Sequence, residues 1–411
     1  MKYPITPEYI LNAPKPLEKL YRSLEAFILQ DICSRLLHAD NLTSTAIEQI
    51  RLLQKRGYDL KDIEKYIKQK LKLSDTTFDS IMRQAVEDNQ RYYATVLNAT
   101  DLLQAEFFNN VLDDEINALM LQTKGTMQNI TQSMGFSIVK GGKRTFLPIA
   151  QAYQEVLDHA AIKTWSGAQS YNEAIRGAIK ELTDSGIRTV TYEHNGKVRT
   201  DHIDVAARRA VMTGITQIGS KYSEHIRKEV PTEYIEVSAH RGARDVPRPG
   251  IPWASHKAWQ GKVYSTRSGD KYPNIYEACG WGEVDGLEGV NCRHMHFPFW
   301  DGISERTWTD EQLATLDRPP FTWGGRTFNA FQAAQQMRLF ERQLRQVKRE
   351  LIAYKASGDK EAYKISAARY NKLSQEYADF AKVSDQRMTE RGNILEFGYK
   401  DGQEALKALI G

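Results

Sequence analysis

Three blocks of chemically capable residues crowd into one stretch of the chain: Ser238-Ala239-His240-Arg241-Gly242-Ala243-Arg244, then His256 with Trp259-Gln260-Gly261-Lys262-Val263, then Asn291-Cys292-Arg293-His294-Met295-His296 before Pro298-Phe299. Imidazole and thiolate are zinc ligands, and the same pair supplies the base and nucleophile of thiol catalysis. Cys292, His294 and His296 alternate, so an extended strand would turn all three to one side. At a rise of about 3.3 Å per residue, their Cα atoms would stand about 6.6 Å and about 13 Å apart. Zinc ligands sit only about 2.0–2.3 Å from the ion. A straight strand therefore offers one ion two neighbours, such as Cys292 and His294, and must borrow the rest from His240, His256 or Cys279. His240, His256, Cys292 and His294 are the candidate ligands, and zinc is the ion they suit.

A plainer reading needs no cofactor and is preferred. Imidazoles donate to main-chain carbonyls and a free cysteine packs as a small hydrophobe, so the same residues can form a hydrogen-bonded core cluster. A Cys292 nucleophile with His240 or His256 as base meets the minimum for a hydrolase, with Asp245, Glu277 or Asp285 as orienting carboxylate. A nuclease fragment at His194-Asn195 is better explained as a turn. Trp253, Trp259, Trp281 and Trp300 supply the large apolar area that a small domain needs to bury a core. No phosphate-cradling glycine loop or dinucleotide fingerprint occurs in the sequence.

These blocks require elements to position them, and most of the chain reads as helix. Leu20, Leu24, Phe27, Ile28, Ile32 and Leu36 recur at helical steps, and the pattern continues to about residue 135. Gly57 interrupts it between Ile47-Ile50-Leu53 and Ile63-Ile67, and Ser74 is read as the N-cap of a helix carrying Phe78, Met82, Val86 and Tyr93. Lys140-Gly141-Gly142-Lys143-Arg144 marks a boundary before a helix over Ala150 to Leu182. Asn195-Gly196 between Val190-Tyr192 and Val198 predicts a β-hairpin near 188–199. Thr200 or Asp201 would then cap a helix through Arg227, with Val205, Met212 and Ile226 on its apolar face. Tyr234 to Ser238 reads as a strand. Beyond an Asp317 to Gly325 linker, Met337, Phe340, Leu344, Val347, Leu351 and Tyr354 form a heptad seam, repeated by Tyr363, Tyr370, Leu373, Tyr377 and Phe380. The break at Ser357-Gly358-Asp359 folds these helices into an antiparallel hairpin.

The expected architecture is α+β and predominantly α-helical, in four parts: a helical N-terminal region (1–139), helices with a β-hairpin (140–230), a small β-rich Gly/Trp/His domain (231–316), and a linker with a C-terminal helical hairpin (317–411). Across 411 residues, 56 basic and 52 acidic groups leave a net charge of only +4, too little to announce nucleic-acid binding by field strength. Arg208-Arg209 and Arg241, Arg244 and Arg248 are read as solvated or paired. Arg338, Arg342, Arg345, Lys348 and Arg349 make a basic helix face, the better candidate for DNA or an acidic partner. Cys33, Cys279 and Cys292 are too few and too scattered for a disulfide framework, which predicts a reducing compartment such as a host cytoplasm. No apolar signal core or membrane-length run occurs, so no membrane association is expected.

The three blocks together resemble the phage minor capsid protein 2 family, related to the Mu gpF-like head morphogenesis proteins. His240, Gly242 and Arg244, then His256, Trp259, Gln260 and Gly261, then Asn291, Cys292, Arg293 and His294 carry the similarity, supported loosely by Tyr21-Arg22-Ser23-Leu24-Glu25 and Thr43-Ser44-Thr45-Ala46. The proline-rich link Asp245 to Ser255 is longer than the family pattern, which puts the meeting of His240 and His256 in question. The resemblance implies a non-enzymatic virion component, inside the head or at the portal vertex, that contacts the portal, other capsid components and packaged DNA during assembly. It also implies that the motif residues are a structural core. Some relatives carry a C-terminal toxin domain; here the residues after Trp300 read as linker and hairpin. The competing classes are a metal-assisted hydrolase or nuclease using the His/Cys cluster, and a DNA-binding module.

Overall fold

The computed structural model describes residues 3–36, 61–98, 110–194, 197–386 and 388. Helix dominates, as the periodicity requires. In chain order the elements are α1 (Pro7–Asn12), α2 (Lys15–Arg35), α3 (Lys61–Asn98), α4 (Asn110–Gln132), β1 (Met134–Lys140), β2 (Lys143–Pro148), α5 (Ile149–Trp165), α6 (Tyr171–Ser185), β3 (Arg188–His194), β4 (Lys197–His202) and α7 (Ile203–Glu229). There follow β5 (Tyr234–Val237), the one-turn α8 (His256–Trp259), β6 (Val263–Ser265), α9 (Ile275–Cys279), β7 (His296–Phe299), α10 (Asp310–Leu316), β8 (Phe321–Trp323), β9 (Arg326–Phe328), α11 (Ala330–Ser357) and α12 (Lys360–Ser384). The fold is α+β with small antiparallel sheets. The chain divides into two compact units, each assembled from three segments: 1–17, 75–127 and 207–335 in the first, and 18–74, 128–206 and 336–411 in the second.

In the first unit, buried Phe78, Met82, Tyr93, Ile215, Ile218 and Tyr222 build a helical core, with the rings of Tyr93 and Tyr222 stacked 5.9 Å apart. Gly214 allows close helix packing there, because a Cβ would stand 2.8 Å from the Thr123 side chain. A three-stranded sheet, β6-β5-β7, pairs Ile235 with Tyr264 and with Pro298. Ile235, Val237, Trp259, Tyr264, Ile275, Cys279, Leu287 and Cys292 make its core, with Trp253 and Trp281 packed against it. The tryptophans thus serve as the sequence suggested, and the Trp300 indole donates to the Val230 carbonyl at 3.2 Å.

In the second unit, β2-β1-β3-β4 form an antiparallel sheet. The helices α11 and α12 pack as the expected hairpin. Phe340 meets Tyr377 and Phe380, and Glu350 accepts from Ser366 and Arg369. Gly358 at φ 75° makes the turn, and Asp359 caps α12 by accepting from the Ala362 N–H at 3.0 Å.

Several local expectations are corrected. Ser74 lies inside the continuous α3, buried, with its hydroxyl 2.5 Å from that of Tyr21, so tertiary bonding replaces the capping role. The Lys140 to Arg144 cluster is the tip of the β1–β2 hairpin, where Gly141 and Gly142 both take the positive φ that a two-residue turn needs. The helix expected over 150–182 is two, α5 and α6, parted near Gly167 and restarted by a Ser170–Glu173 capping box. Thr200 and Asp201 belong to β4, and Val205 is exposed. The 317–325 linker contains β8 and leads into the β8–β9 hairpin. Strands β3 and β4 pair as predicted, while Asn195-Gly196, Gly57, the Ile47 to Leu53 stretch and Thr43 to Ala46 lie outside the described residues.

Candidate functional site

All three sequence blocks lie in the first unit, around one end of the β6-β5-β7 sheet. His240 follows β5, His256 opens α8, and Cys292 and His294 precede β7. The backbone from 292 to 295 is not strand, so the alternation argument fails for the trio. Cys292 and His294 turn to one place, whereas His296 faces another.

At that place, Cys292 Sγ lies 3.5 Å from His294 Nδ1 and 3.7 Å from His256 Nδ1, and the main-chain N–H of His294 donates to the sulfur at 3.4 Å. His256, Cys292 and His294 are buried, and their ligand atoms all fall within 4.8 Å of one another. Among the described residues this is the group of three or more His, Cys, Asp or Glu side chains that converges closely enough to hold an ion. Each ring is anchored from behind. His256 Nε2 is 2.9 Å from the Asp285 carbonyl, and His294 Nε2 is 3.1 Å from Gln260 Oε1. That Gln260 oxygen also accepts from the His240 N–H at 3.0 Å.

Trp259 walls the cluster, its ring 4.6 Å from that of His256 and 4.8 Å from that of His294. Its indole N–H donates to the Trp253 carbonyl at 3.0 Å. Burial pushes the His256 imidazole down to about 4, and burial aided by the charges of His240 and His256 pushes His294 well below the usual imidazole range. Burial raises the Cys292 thiol to about 11. A buried thiol held protonated is a poor nucleophile. The orienting contact to His256 comes from the Asp285 main chain rather than a carboxylate, so the parts of a thiol-catalytic triad do not assemble.

His240 stands beside the group rather than in it. Its ring stacks on that of His294 at 4.4 Å, and its Nδ1 lies 2.9 Å from the Arg241 carbonyl and 3.2 Å from an Arg293 guanidinium nitrogen. Arg244 bridges to the carbonyls of Asp285 and Val290. Gly242 takes φ 66° while its N–H donates to Asp317 Oδ1, and Asn291 takes φ 60°, a conformation asparagine tolerates better than most residues. Gly261 takes φ 70°, and a Cβ there would stand 2.4 Å from Leu313. The motif glycines and asparagine therefore shape loops, and the motif polar groups hold them.

His296 belongs to a separate buried network, Nδ1 2.7 Å from Glu288 Oε1 and Nε2 3.0 Å from Glu224 Oε1. Burial pushes this imidazole down, but the two carboxylates outweigh it and raise it to about 9. The sequence gives no hint of this partnership, since Glu224 lies 72 residues away.

In the second unit, the basic face of α11 is divided. Arg342 is exposed, and Arg338, Arg345 and Lys348 are half-buried. Arg349 is turned inward: it is buried, donates to the Thr183 carbonyl at 2.7 Å and pairs with Glu25 at 3.6 Å. Arg345 lies close enough to Asp204 to depress its carboxyl. The face is thus in part an internal charge lattice.

A helix-dominated α+β protein whose most specific residues are occupied in internal bonding has the character of a structural component. The chain belongs to the phage minor capsid protein 2 family, whose pattern it matches over residues 5–382. It is also similar to a protein called "Structural protein" from Lactococcus phage LL-H, 24% identical over 244 residues, covering 57% of this chain and 58% of that one. The chain thus spans little more than half the length of that relative. No solved structure matches. Among the described residues, no helix is long and apolar enough to cross a membrane.

Proposed function

We propose that this chain works in head assembly: it resides in the virion, inside the head or at the portal vertex, and binds the portal protein and neighbouring capsid components in the host cytoplasm as the particle forms. The observation that carries this reading is the family match from residue 5 to residue 382, which takes in the segments of both compact units as well as the His/Cys/Trp site. The burial of His256, Cys292 and His294 supports it further, because a site meant for turnover needs an approachable reacting group. In this reading the rigid sheet domain keeps its loops in register, and the long helices provide partner contacts. Contact with packaged DNA would fall to the exposed part of α11, around Arg342.

The test is co-expression of the full chain, tagged, with the portal protein encoded in the same phage genome. The two should elute as one complex, and mass spectrometry should find the chain in purified virions. Separate elution, together with absence from virions, overturns the reading.

A further inference from the structure

The cluster around Cys292 has more lone pairs than protons. The Asp285 carbonyl can only accept, so His256 Nε2 must carry its hydrogen. Gln260 Oε1 receives the His240 main-chain N–H, which fixes that atom as the amide oxygen, so His294 Nε2 must also donate. In their neutral forms both imidazoles then present a bare Nδ1, and both Nδ1 atoms face the same sulfur. A thiol has one proton and can satisfy one of them. The other would remain a buried acceptor with nothing to accept, which costs roughly 1–3 kcal/mol. The His294 main-chain N–H pointing at Sγ is likewise suited to a sulfur carrying negative charge.

A cation resolves all of this at once. A tetrahedral zinc ion with a sulfur at about 2.3 Å and nitrogens at about 2.0–2.1 Å sets each sulfur-to-nitrogen distance near 3.5–3.6 Å. The observed sulfur-to-nitrogen separations are 3.5 and 3.7 Å, and all three ligand atoms lie within 4.8 Å of one another, so binding would draw the two imidazoles closer. The Nε2 hydrogen bonds to carbonyl oxygens match the outer contacts that orient metal-bound imidazoles.

We propose that His256, Cys292 and His294 form a zinc site, giving Nδ1, Sγ and Nδ1 as three of the four ligands the ion takes. On binding, the Cys292 thiol loses its proton to solvent and the thiolate sulfur bonds the metal; nothing is oxidised or reduced. Gln260 and Asp285 are positioning residues. The ligands are buried and join α8 to the segment before β7, which are far apart in sequence, and the fourth position is left to a non-protein ligand such as water. The ion would tie together two stretches of the sheet domain, 238–262 and 266–295, that lie outside the strands.

The experiment uses the full chain, expressed with zinc and purified without metal resins. Elemental analysis should find about one zinc per chain. Exchange with cobalt should produce a thiolate-to-cobalt charge-transfer band. Cys292→Ser should lose at least roughly tenfold in bound metal, while Cys279→Ala, at the neighbouring thiol, keeps both metal and band. Should Cys292→Ser fail to fold, the wild-type protein still decides: a chelator should strip the zinc and lower its melting temperature, and zinc should restore both. Folded wild-type protein that takes up neither zinc nor cobalt overturns the proposal, as does zinc retained in full by a folded Cys292→Ser protein.

Discussion

Arg22 and Asp204 form a buried ion pair in the second unit, Nε to Oδ2 2.9 Å. Burial alone would raise the Asp204 carboxyl, but Arg345 and Arg22 outweigh it and hold it down at about 2. A carboxyl depressed in the folded state stabilises the fold above its unfolded value of about 3.9, and that stabilisation is lost as pH falls toward 2. Its size is on the order of 2 kcal/mol. Urea unfolding followed from pH 6 to pH 2 should show this loss, and Asp204→Asn should flatten that part of the curve while lowering stability at pH 6. An unchanged acid limb in the variant would show that Asp204 does not contribute.

Arg349 and Arg342 lie two turns apart on α11 and should behave oppositely. Arg349→Ala leaves the Thr183 carbonyl and Glu25 without their buried cation, and should cost roughly 3 kcal/mol. Arg342→Ala removes an exposed side chain and should change stability by less than about 0.5 kcal/mol. Thermal melts of the two variants separate the inward from the outward half of this face. If the two melt alike, the inward assignment of Arg349 fails.

Glu236 is a fully buried carboxylate in the first unit. It accepts from the Tyr3 hydroxyl, from the Thr307 N–H at 2.7 Å and from the Thr307 hydroxyl at 2.8 Å. Tyr3→Phe keeps the ring, which stacks on Phe297 at 3.5 Å, and removes only the donor. It should destabilise by about 1–3 kcal/mol, and Glu236→Gln in the same background should recover part of that loss. Purely additive effects in a double-mutant cycle would rule out the coupling.

Gln260→Ala removes the acceptor behind His294 without touching the proposed ligands. Zinc affinity, measured by competition with a chromogenic chelator, should fall by roughly 10- to 100-fold while stoichiometry stays the same. Unaltered affinity would mean that Gln260 does not orient the ring.

How much of this was legible in the sequence varies by element. The α11–α12 hairpin was readable because Phe340, Tyr377 and Phe380 fall on an apolar seam and Gly358 breaks it. The motif blocks were recognisable as one region, and their tryptophans as its core. Ser74 departs from its expected capping role because a serine before an apolar run looks the same whether it caps a helix or bonds a distant tyrosine. Gly141-Gly142 looked like a boundary because the flanking β1 and β2 carry too little alternation to announce strands. The meeting of His256 with Cys292 and His294 depends on the Asp285 main-chain carbonyl, which leaves no trace in residue type, and on the Gln260 amide, whose residue type is visible in the sequence but whose partner is not.

The three-segment make-up of each compact unit bears on how the molecule comes into being at the ribosome. The first unit lacks its last segment until residue 335 has emerged, and the second lacks α12 until residue 384 has emerged. Early helices must therefore wait as unfinished surfaces, a span in which chaperones or assembly partners have access to apolar faces that the finished protein hides. Shortened forms would imitate that immature condition, which is why single-residue changes in the intact chain are the sounder instrument for mapping its contacts.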